Sequence, residues 1–406
     1  MTLRVQKYGG TSVADIGHIK NVAYRVQKAF DQGDKIIVVL SAMSGVTDHL
    51  ISLAEQASDS PDKRELDLLL ATGEQTTAAL LSMILKSRGY KAKSFLGFQA
   101  GILTDKISGK ARIRDIDCKN LKQAVETGSI AVVAGFQGAD EDGSITTLGR
   151  GGSDTSAVAI ASSLKADVCE IFTDVDGVYT TDPRICSSAR KIDRISYEEM
   201  LEMAILGAKV LQIRSVEFAK KYSVPVHVRS SFNEEEGTMV VNETKDMESV
   251  IVSGITCDMN EARITLKRVP DQPGVSAKLF TSLARAEIGV DMIIQNTRSD
   301  NATDLTFTVT QDDFELAREI SQKVAKEMDA GEILTAREIA KVSVIGLGMK
   351  SHSGVAATMF QALADENINI RLISTSEIRI SCVILAKYAE LAVRTLHSAF
   401  NLDQKK

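Results

Sequence analysis

The chain has 406 residues, of which 44% are hydrophobic and 25% are charged, and its formal net charge is −6. The length predicts roughly two to four domains, the composition excludes a disordered chain, and the acidic charge argues against nucleic acid or an anionic membrane as a partner. No run is interpreted as a membrane span, and the strand-like start at Leu3 is unlike a signal peptide. The five scattered cysteines indicate reduced thiols and no structural zinc, so we expect a cytoplasmic protein.

The first part of the chain alternates strand-like apolar runs with amphipathic helices. One such helix places Ile19, Val22 and Val26 on a single face. This alternation predicts an α/β domain with a mainly parallel sheet. A polar, acidic stretch over 233–248 predicts that the domain, residues 1–245, ends there. The predicted strands are Leu3–Gln6, Lys35–Leu40, Lys93–Phe95, Ile130–Phe136, Val168–Thr173 and Val226–Val228.

A loop of lysine, glycines and hydroxyls follows the first predicted strand. Lys7 supplies a positive charge, Gly9 and Gly10 expose backbone N–H groups, and Thr11 and Ser12 can cap a helix or donate hydrogen bonds. The pattern predicts a phosphate cradle, with a glycine turn beside a surface lysine as the alternative. The chain contains no Walker A sequence.

The second strand and the helix beyond it carry further polar groups. The loop Ser41–Asp48 places hydroxyls and an acid at a strand end, where open α/β sheets bind ligands, although such a loop is often only a helix cap. Glu74 lies in an apolar helical stretch. A buried carboxylate there would need a cation, such as a substrate ammonium. From the residues alone, an exposed helix glutamate is the favoured reading.

The most informative stretch is Gly149–Ser156, which follows an apolar run and precedes a small-residue helix over 157–164. Its glycines let the backbone approach an anion, and the helix start offers free N–H groups. Arg150 adds a planar fork that suits a carboxylate or a phosphate. The alternative is a glycine loop capped by Ser153 or Asp154.

Two later stretches contain turn signals. Thr173–Arg184 combines acids, hydroxyls and an arginine. Its Asp-x-Asp-Gly segment is similar to part of a calcium loop, but the remaining EF-hand ligands are missing, so we interpret it as a nucleotide loop. Gly346-Leu347-Gly348 lacks the third glycine of a dinucleotide-binding turn and is interpreted as an ordinary turn.

The C-terminal part contains a weak internal repeat of ferredoxin-like order. Each copy has a Gly-Val turn after its first strand, at Gly274-Val275 and Gly354-Val355. The copies span 263–339 and 341–406, and the second lacks a final strand. We therefore predict that a spare strand, Val250–Thr256, completes the second sheet, so that the first module is inserted into the second.

Six motifs together resemble the aspartokinase family over nearly the whole chain. They are Lys7–Ser12, Ser41–Asp48, Thr72–Glu74, Thr147–Ser156, Thr173–Arg184 and Gly207–Val210. The resemblance implies a three-layer αβα amino-acid-kinase domain followed by two ACT domains. It also implies transfer of the ATP γ-phosphoryl group to the β-carboxylate of L-aspartate, the first step towards lysine, threonine and methionine. Magnesium is expected mainly on the ATP phosphates, with Asp182 a weak protein candidate.

The same resemblance assigns roles to individual residues. Lys7 would neutralise the transferring phosphoryl group, with Asp154 holding Lys7. Arg150 would grip the α-carboxylate of aspartate, and Glu74 its α-ammonium. The other substrate residues are Ser41, Thr47, Gly151, Gly152 and Ser153. The ATP-binding residues are Lys7, Tyr8, Gly9, Gly10, Thr173, Asp174, Tyr179, Asp182, Arg184 and Lys209. A carboxylate acceptor is already ionised at neutral pH, so the reaction needs no general base.

The ACT-like modules imply feedback inhibition by lysine, threonine or both. Ser353 departs from the family, where many members have proline before the glycine. Exposed sheet edges of such modules favour pairing between chains, so we expect at least a homodimer. The candidate effector residues are Asp271, Gly274, Val275, Ser276, Gln295, Asn296, Val355, Asn369, Ile370 and Ser376.

Other functions are considered beside this one. A related kinase could act on glutamate, acetylglutamate, carbamate or a nucleotide, but the paired effector modules argue against it. A catalytically silent amino-acid sensor is disfavoured by the intact Lys7, Glu74, Arg150 and Asp154. A nicotinamide dehydrogenase would need a different phosphate-loop pattern. The sequence leaves open whether a separate regulatory subunit starts near Met247.

Overall fold

The computed structural model describes residues 1–208, 210–244, 247, 250–297, 302–350 and 352–404. The chain divides into two units, each described by itself. The N-terminal unit comprises Met1–Tyr179 and Lys191–Ser249, and the C-terminal unit comprises Thr180–Arg190 and Val250–Lys406.

The most apolar runs of the N-terminal unit form the centre of one mainly parallel sheet. Its strand order is β10-β12-β11-β9-β1-β2-β6-β3. Central strands such as β2 and β6 are buried almost throughout because helices cover both faces. The strands are β1 Leu3–Tyr8, β2 Lys35–Leu40, β3 Ala92–Phe95, β6 Ile130–Ala134, β9 Val168–Thr173, β10 Arg194–Ser196, β11 Val226–Ser230 and β12 Thr238–Val241.

Seven helices of this unit lie within the described residues, and a smaller sheet of order β5-β4-β7-β8 accompanies the main one. The helices are α1 Ile16–Asp31, α2 Val46–Ala57, α3 Lys63–Ser87, α4 Lys119–Glu126, α5 Gly152–Leu164, α6 Tyr197–Ile205 and α7 Ile213–Tyr222. The small-sheet strands are β4 Ile102–Thr104, β5 Ile113–Ile116, β7 Gln137–Ala139 and β8 Ile145–Thr147. The predicted apolar face of α1 packs into the core through Ile19, Val22 and Val26.

The strand predicted to reach Phe136 ends two residues earlier. Phe136 adopts a left-handed backbone conformation with φ of 68°. Its N–H donates to Ser156 Oγ over 3.1 Å, and its carbonyl accepts from the Leu148 N–H over 2.8 Å. Contacts from two distant segments therefore turn the chain here, which the apolar run alone does not reveal.

Among the described residues, α3 alone is long and apolar enough to cross a membrane by length and composition. The sequence analysis interprets no run as a membrane span. Half of its most apolar window is buried within the protein. A core helix of a soluble protein passes the same test, so the helix is weak support for a membrane span.

Two long strands lie at the centre of the sheet in the C-terminal unit. β13 (Gly254–Pro270) and β16 (Ile333–Ile345) are central in a sheet of order β14-β15-β13-β16-β18-β17. The sequence pattern predicts two separate strands for each of them, Val250–Thr256 and Ile264–Val269 for β13, and Glu332–Ala336 and Lys341–Ile345 for β16. They stay continuous because bulges near Asp258 and Glu261 absorb the change of register without a turn. The other strands are β14 Ile293–Thr297, β15 Ala302–Thr310, β17 Leu372–Thr375 and β18 Arg379–Leu385.

The two ends of these long strands pack against different helix pairs. One core joins residues 262–269 of β13 to α8 (Val275–Arg285) and α9 (Phe314–Glu327). The other joins residues 340–344 of β16 to α10 (Val355–Asp365) and α11 (Ala389–Ala399). Residues 254–258 of β13 pair with 341–345 of β16. The spare strand of the sequence analysis therefore lies in the sheet of the second repeat from residue 254 onwards.

A buried ion cluster lies where the strands pass from one repeat to the other. Lys341 is 3% exposed, and its Nζ lies 2.5 Å from Glu261 Oε1 and also contacts Asp291. Removing one member of such a buried cluster leaves an uncompensated charge. The cluster therefore ties β13, β16 and the segment before β14 into one arrangement.

The segment Thr180–Arg190 belongs to the C-terminal unit although it precedes that unit by 60 residues. The Thr180 carbonyl accepts from the Ile255 N–H over 2.7 Å. Thr180 Oγ1 lies 2.9 Å from His397 Nε2, and Ile185 packs against the core of the second repeat. The prediction of an uninterrupted first domain over 1–245 did not anticipate this excursion.

Candidate active site

Three of the predicted loops, together with the turn at Gly135, follow strands of the main sheet at one edge. β1 is parallel to both β2 and β9, and β2 is parallel to β6. Their carboxyl ends therefore lie along the same edge, where ligands bind in open α/β sheets. Lys7 and Tyr8 end β1, Ser41 follows β2, Gly135 follows β6 and Thr173 ends β9.

Lys7 forms an ion pair with Asp154 at this edge. Lys7 Nζ lies 2.6 Å from Asp154 Oδ1, and both side chains are about nine-tenths buried. Asp154 occupies the first turn of α5, where the helix dipole favours a negative charge. The two residues are 147 positions apart in sequence. Their ion pair lies at the carboxyl edge of the sheet, where Asp154 balances the charge of Lys7.

The glycine loop before α5 depends on left-handed backbone conformations. Gly149 has φ of 75°, and Gly151, which precedes the first residue of α5, has φ of 72°. A Cβ at Gly151 would lie 1.9 Å from Cγ of Gln212. Glycine is therefore required at 151 both by conformation and by space. Ser153 and Asp154 are buried in the first turn of the helix.

Gly151→Ala is expected to lower kcat/KM at least about tenfold, because the loop must move to clear Gln212 and misplaces its backbone N–H groups. Gly143→Ala is the matched control, since Gly143 also has a positive φ but open space around it. In both variants, alanine in a left-handed conformation lowers the free energy of unfolding by about 1–2 kcal/mol, which thermal unfolding measures. Equal losses of activity in the two variants would show that the close approach to Gln212 is unimportant.

Arg150 is exposed, and none of the described acidic side chains forms an ion pair with it. It lies between two glycines with positive φ, so its backbone position is set by the loop. An exposed guanidinium without a protein carboxylate is available for an anionic ligand. The carboxylate- or phosphate-binding role of Arg150 stays a prediction.

Glu74 is buried, so the reading that favoured an exposed helix glutamate is wrong. Its side chain is 4% exposed, and Oε1 accepts from the Ala42 N–H over 3.0 Å. Oε2 is buried and has no hydrogen-bond partner among the described residues. Burial raises the pKa of Glu74 to about 7. Gly73 allows this approach, because a Cβ there would lie 2.8 Å from that of Ala42. The free oxygen marks a place for a donor that none of the described residues supplies.

The other predicted substrate residues lie around the loop after β2. The Ser41 carbonyl accepts from Thr77 Oγ1 over 2.9 Å, which fixes the loop against α3. Thr47 lies in the first turn of α2, after Gly45 in a left-handed conformation. This loop and α3 therefore form one packed element around Glu74.

The predicted nucleotide residues are distributed less evenly. Tyr8 is fully buried and stacks on Phe172 with ring centroids 4.6 Å apart, so its side chain belongs to the core. Thr173 Oγ1 donates to the exposed Asp174 over 3.0 Å, and the Tyr179 hydroxyl donates to Asp176 over 3.0 Å. Gly9 donates its N–H to the Phe172 carbonyl, and Gly10 begins a short 3-10 helix. Lys209 lies outside the described residues.

Asp182 and Arg184 belong to the C-terminal unit and pair with each other. Arg184 Nη2 lies 2.7 Å from Asp182 Oδ2, and this contact lowers the pKa of Asp182. A carboxylate engaged by a guanidinium is a poor magnesium ligand. In the described parts of the chain, no three His, Cys, Asp or Glu side chains are arranged to hold a metal.

Sequence reasoning missed two residues that support the glycine loop. Asp67 on α3 is buried, and its carboxylate accepts from the Gly109 N–H over 3.0 Å and from Thr147 Oγ1 over 2.5 Å. Arg214 donates to the carbonyls of Leu148 and Ala111. Asp67 lies seven residues before Glu74, two helical turns away, and two acids on one helix face were a signal that could have been used.

The effector candidates lie in the two repeats of the C-terminal unit. Gly274 and Gly354 have φ of 94° and 103° and precede α8 and α10, with Val275 and Val355 first in each helix. Ser276 Oγ donates to Gln295 Oε1 over 3.3 Å. The two helix starts therefore repeat one geometry. Asp271, Asn296, Asn369 and Ser376 are exposed, and Ile370 is half-buried.

Comparison with known proteins decides the family. Residues 2–230 match the amino acid kinase family, and residues 267–323 and 342–400 match the ACT domain. An aspartate kinase of Stutzerimonas stutzeri is 56% identical over 404 residues, which is 99% of this chain and 98% of that protein. The chain belongs to the aspartokinase family. The predicted family and fold class are thereby confirmed.

Solved aspartokinases share the fold. Aspartokinase III of E. coli in complex with aspartate and ADP, an R-state structure, has a TM-score of 0.82 at 28% identity, covering 98% of this chain and 99% of that one. The same E. coli enzyme with lysine and aspartate, in a T-state, has a TM-score of 0.79 at 29% identity, with coverages of 99% and 100%. This member of the aspartokinase family is an enzyme with ACT regulatory domains.

Proposed function

We propose that this aspartokinase transfers the γ-phosphoryl group of ATP to the β-carboxylate of L-aspartate and releases 4-phospho-L-aspartate. Glu74 carries the proposal. A buried carboxylate with one unpartnered oxygen attracts an ammonium group. Arg150 supplies a guanidinium for the α-carboxylate of the same zwitterion. The solved E. coli relative was crystallised with aspartate and ADP, which supports these substrates.

The chemistry proposed for the site is electrostatic. The acceptor carboxylate is ionised at neutral pH, so the enzyme has to bring two anions together and stabilise the charge of a loose transition state. Lys7 neutralises charge on the transferring group, and Asp154, 2.6 Å away, positions Lys7. Magnesium bound to ATP would neutralise the phosphates. The substrate pocket is completed by Ser41, Thr47, Gly151, Gly152 and Ser153, and the nucleotide is held by Gly9, Gly10, Thr173, Asp174, Tyr179, Asp182, Arg184, Lys209 and the backbone of Tyr8.

The kinase domain is proposed to span 1–245 and the ACT domains 263–339 and 341–406, with the strand within 250–256 completing the second. The interlocked sheet of β13 and β16 supports this division. We also propose a cytoplasmic enzyme that is at least dimeric through these domains and acts at the start of lysine, threonine and methionine biosynthesis. A relative bound to lysine supports lysine as an effector, and threonine is the second candidate.

The purified protein is expected to release ADP from Mg-ATP only when L-aspartate is present, and hydroxylamine should trap the acyl phosphate. Glutamate is the matched control, because it carries the same zwitterion on a side chain longer by one methylene. Equal rates with glutamate would favour another carboxylate kinase. No release with any acceptor would favour an amino-acid sensor that no longer catalyses.

Asp271→Ala and Gln295→Ala are expected to leave the uninhibited kcat within about twofold and to raise the inhibitory concentration of lysine or threonine at least about tenfold. An effector needs a carboxylate for its ammonium and polar groups for its side chain, and these exposed residues flank the start of α8. The control is Asp312→Ala, an exposed acid of the same unit. Inhibition curves unchanged in both test variants would place the effector elsewhere.

A further inference from the structure

A cavity of about 390 Å³ lies in the C-terminal unit, where the two repeats meet. It is bordered by Arg263 of β13, residues 335–339 of β16, Arg371 before β17, and Leu385 at the end of β18. Ile339 pairs with Leu385, and Ala336 pairs with Arg263, so two ladders of the sheet set its walls. None of the effector candidates lines it.

The walls carry three guanidinium groups and one carboxylate, that of Glu338. Arg337 is already engaged: its Nη1 lies 3.3 Å from Glu315, its Nε donates to Gln311, and its guanidinium lies over the ring of Phe314. The other two arginines face the cavity without an acidic partner among the described residues.

Of these two arginines, Arg263 has the less favourable environment. Its Nε is buried and has no hydrogen-bond partner in the described structure. Burial and the nearby charge of Arg371 both lower the pKa of Arg263. A buried donor left unpaired and two like charges side by side both destabilise the empty cavity. An anion that accepts hydrogen bonds from both guanidinium groups removes both destabilising effects.

We propose that this cavity binds a small phosphate-class dianion between Arg263 and Arg371. A tetrahedral dianion offers oxygens to two guanidinium forks at once and balances both charges. The volume exceeds what one phosphate group fills, and Ala336, Ile339 and Leu385 supply an apolar wall. The ligand class is therefore a phosphorylated small molecule with an apolar part.

The test uses the full-length protein with saturating Mg-ADP, so that the active site is already occupied. Thermal unfolding is followed while inorganic phosphate replaces chloride at constant ionic strength. The wild type is expected to show a saturable rise in Tm. Arg263→Gln and Arg371→Gln should raise the half-saturating phosphate concentration at least about tenfold. Arg285→Gln, an exposed arginine at the end of α8, should respond as the wild type does.

Arg371→Gln also tests the repulsion directly. Arg371 is exposed, so its replacement leaves the core intact. In chloride alone this variant should melt at or above the wild-type Tm, because the charge beside Arg263 has gone. A clear fall of Tm in chloride, or an equal phosphate response in the wild type and both cavity variants, would overturn the proposal.

The alternative partner for the guanidinium groups of Arg263 and Arg371 is a carboxylate from a second copy of the chain. In that case phosphate has no saturable effect, and both cavity variants lower the fraction of dimer in sedimentation at fixed protein concentration. That outcome also overturns a free-ligand site. An unchanged dimer fraction, together with loss of the phosphate response in the two cavity variants, supports the free-ligand site.

Discussion

Lys7→Ala is expected to lower kcat by about 10²-fold or more, because the ammonium stabilises charge that develops in the transition state. The KM for aspartate should change much less. Lys122→Ala, which removes an exposed lysine of α4 in the same unit, is the matched control and should keep its activity. Steady-state kinetics with ADP release measures both.

Lys7→Ala also leaves Asp154 buried without its cation, which could destabilise the fold. The double variant Lys7→Ala/Asp154→Asn removes both charges and separates the two effects. It is expected to recover the Tm lost by the single variant while remaining inactive. A double variant that regains activity would show that Lys7 only balances Asp154 and has no catalytic role.

Glu74→Gln is expected to stabilise the free enzyme at pH 8 and to weaken aspartate binding there. The pKa of Glu74 is raised from 4.5 to about 7. Between these values the native state keeps a proton that the unfolded chain has released, so the free energy of unfolding falls as pH rises through that window. The loss is on the order of 1–3 kcal/mol at pH 8 and is absent below pH 4.5. Thermal unfolding at several pH values measures it, with exposed Glu55→Gln as the control.

The same variant, although expected to be more stable at pH 8, is expected to bind aspartate more weakly there. Only the ionised form of Glu74 attracts the substrate ammonium, so kcat/KM for aspartate should rise with pH through about 7 in the wild type. Glu74→Gln should raise the aspartate KM at least about tenfold at pH 8, with a smaller ratio at pH 6. A ratio independent of pH would argue against an ammonium contact.

The positions of the loops could be predicted because they depend on local signals. Lys7, Ser41 and Thr173 end or follow apolar runs, and parallel strands bring such ends to one edge. The order of motifs then predicted the family. The Lys7–Asp154 pair was expected from the resemblance, and the structure places those two charges 2.6 Å apart.

The burial of Glu74 could not be predicted because it depends on packing between elements. α3 approaches the loop after β2 through Gly73, and that contact removes a helix glutamate from water. A helical pattern shows which residues share a face but not which loop will cover them. Asp67 was missed for the same reason, since its partners Gly109 and Thr147 are far away in sequence.

The continuous strands β13 and β16 show a different limit. The chain around Asp258 and Glu261 contains polar residues that usually indicate a loop. Strand continuity there depends on pairing partners about 80 residues away. Lys341, which lies against Glu261, is a charged residue in a strand core and carries no local signal of its burial.

The membership of Thr180–Arg190 in the C-terminal unit has a consequence for how that unit could be produced. A polypeptide initiated at Met247 would contain residues 250–406 but not this segment. The Ile255 N–H would lose its acceptor, His397 its Thr180 contact, and the core the side chain of Ile185. Such a fragment would lack these three contacts and is expected to unfold at a lower temperature than the same residues do within the full-length chain.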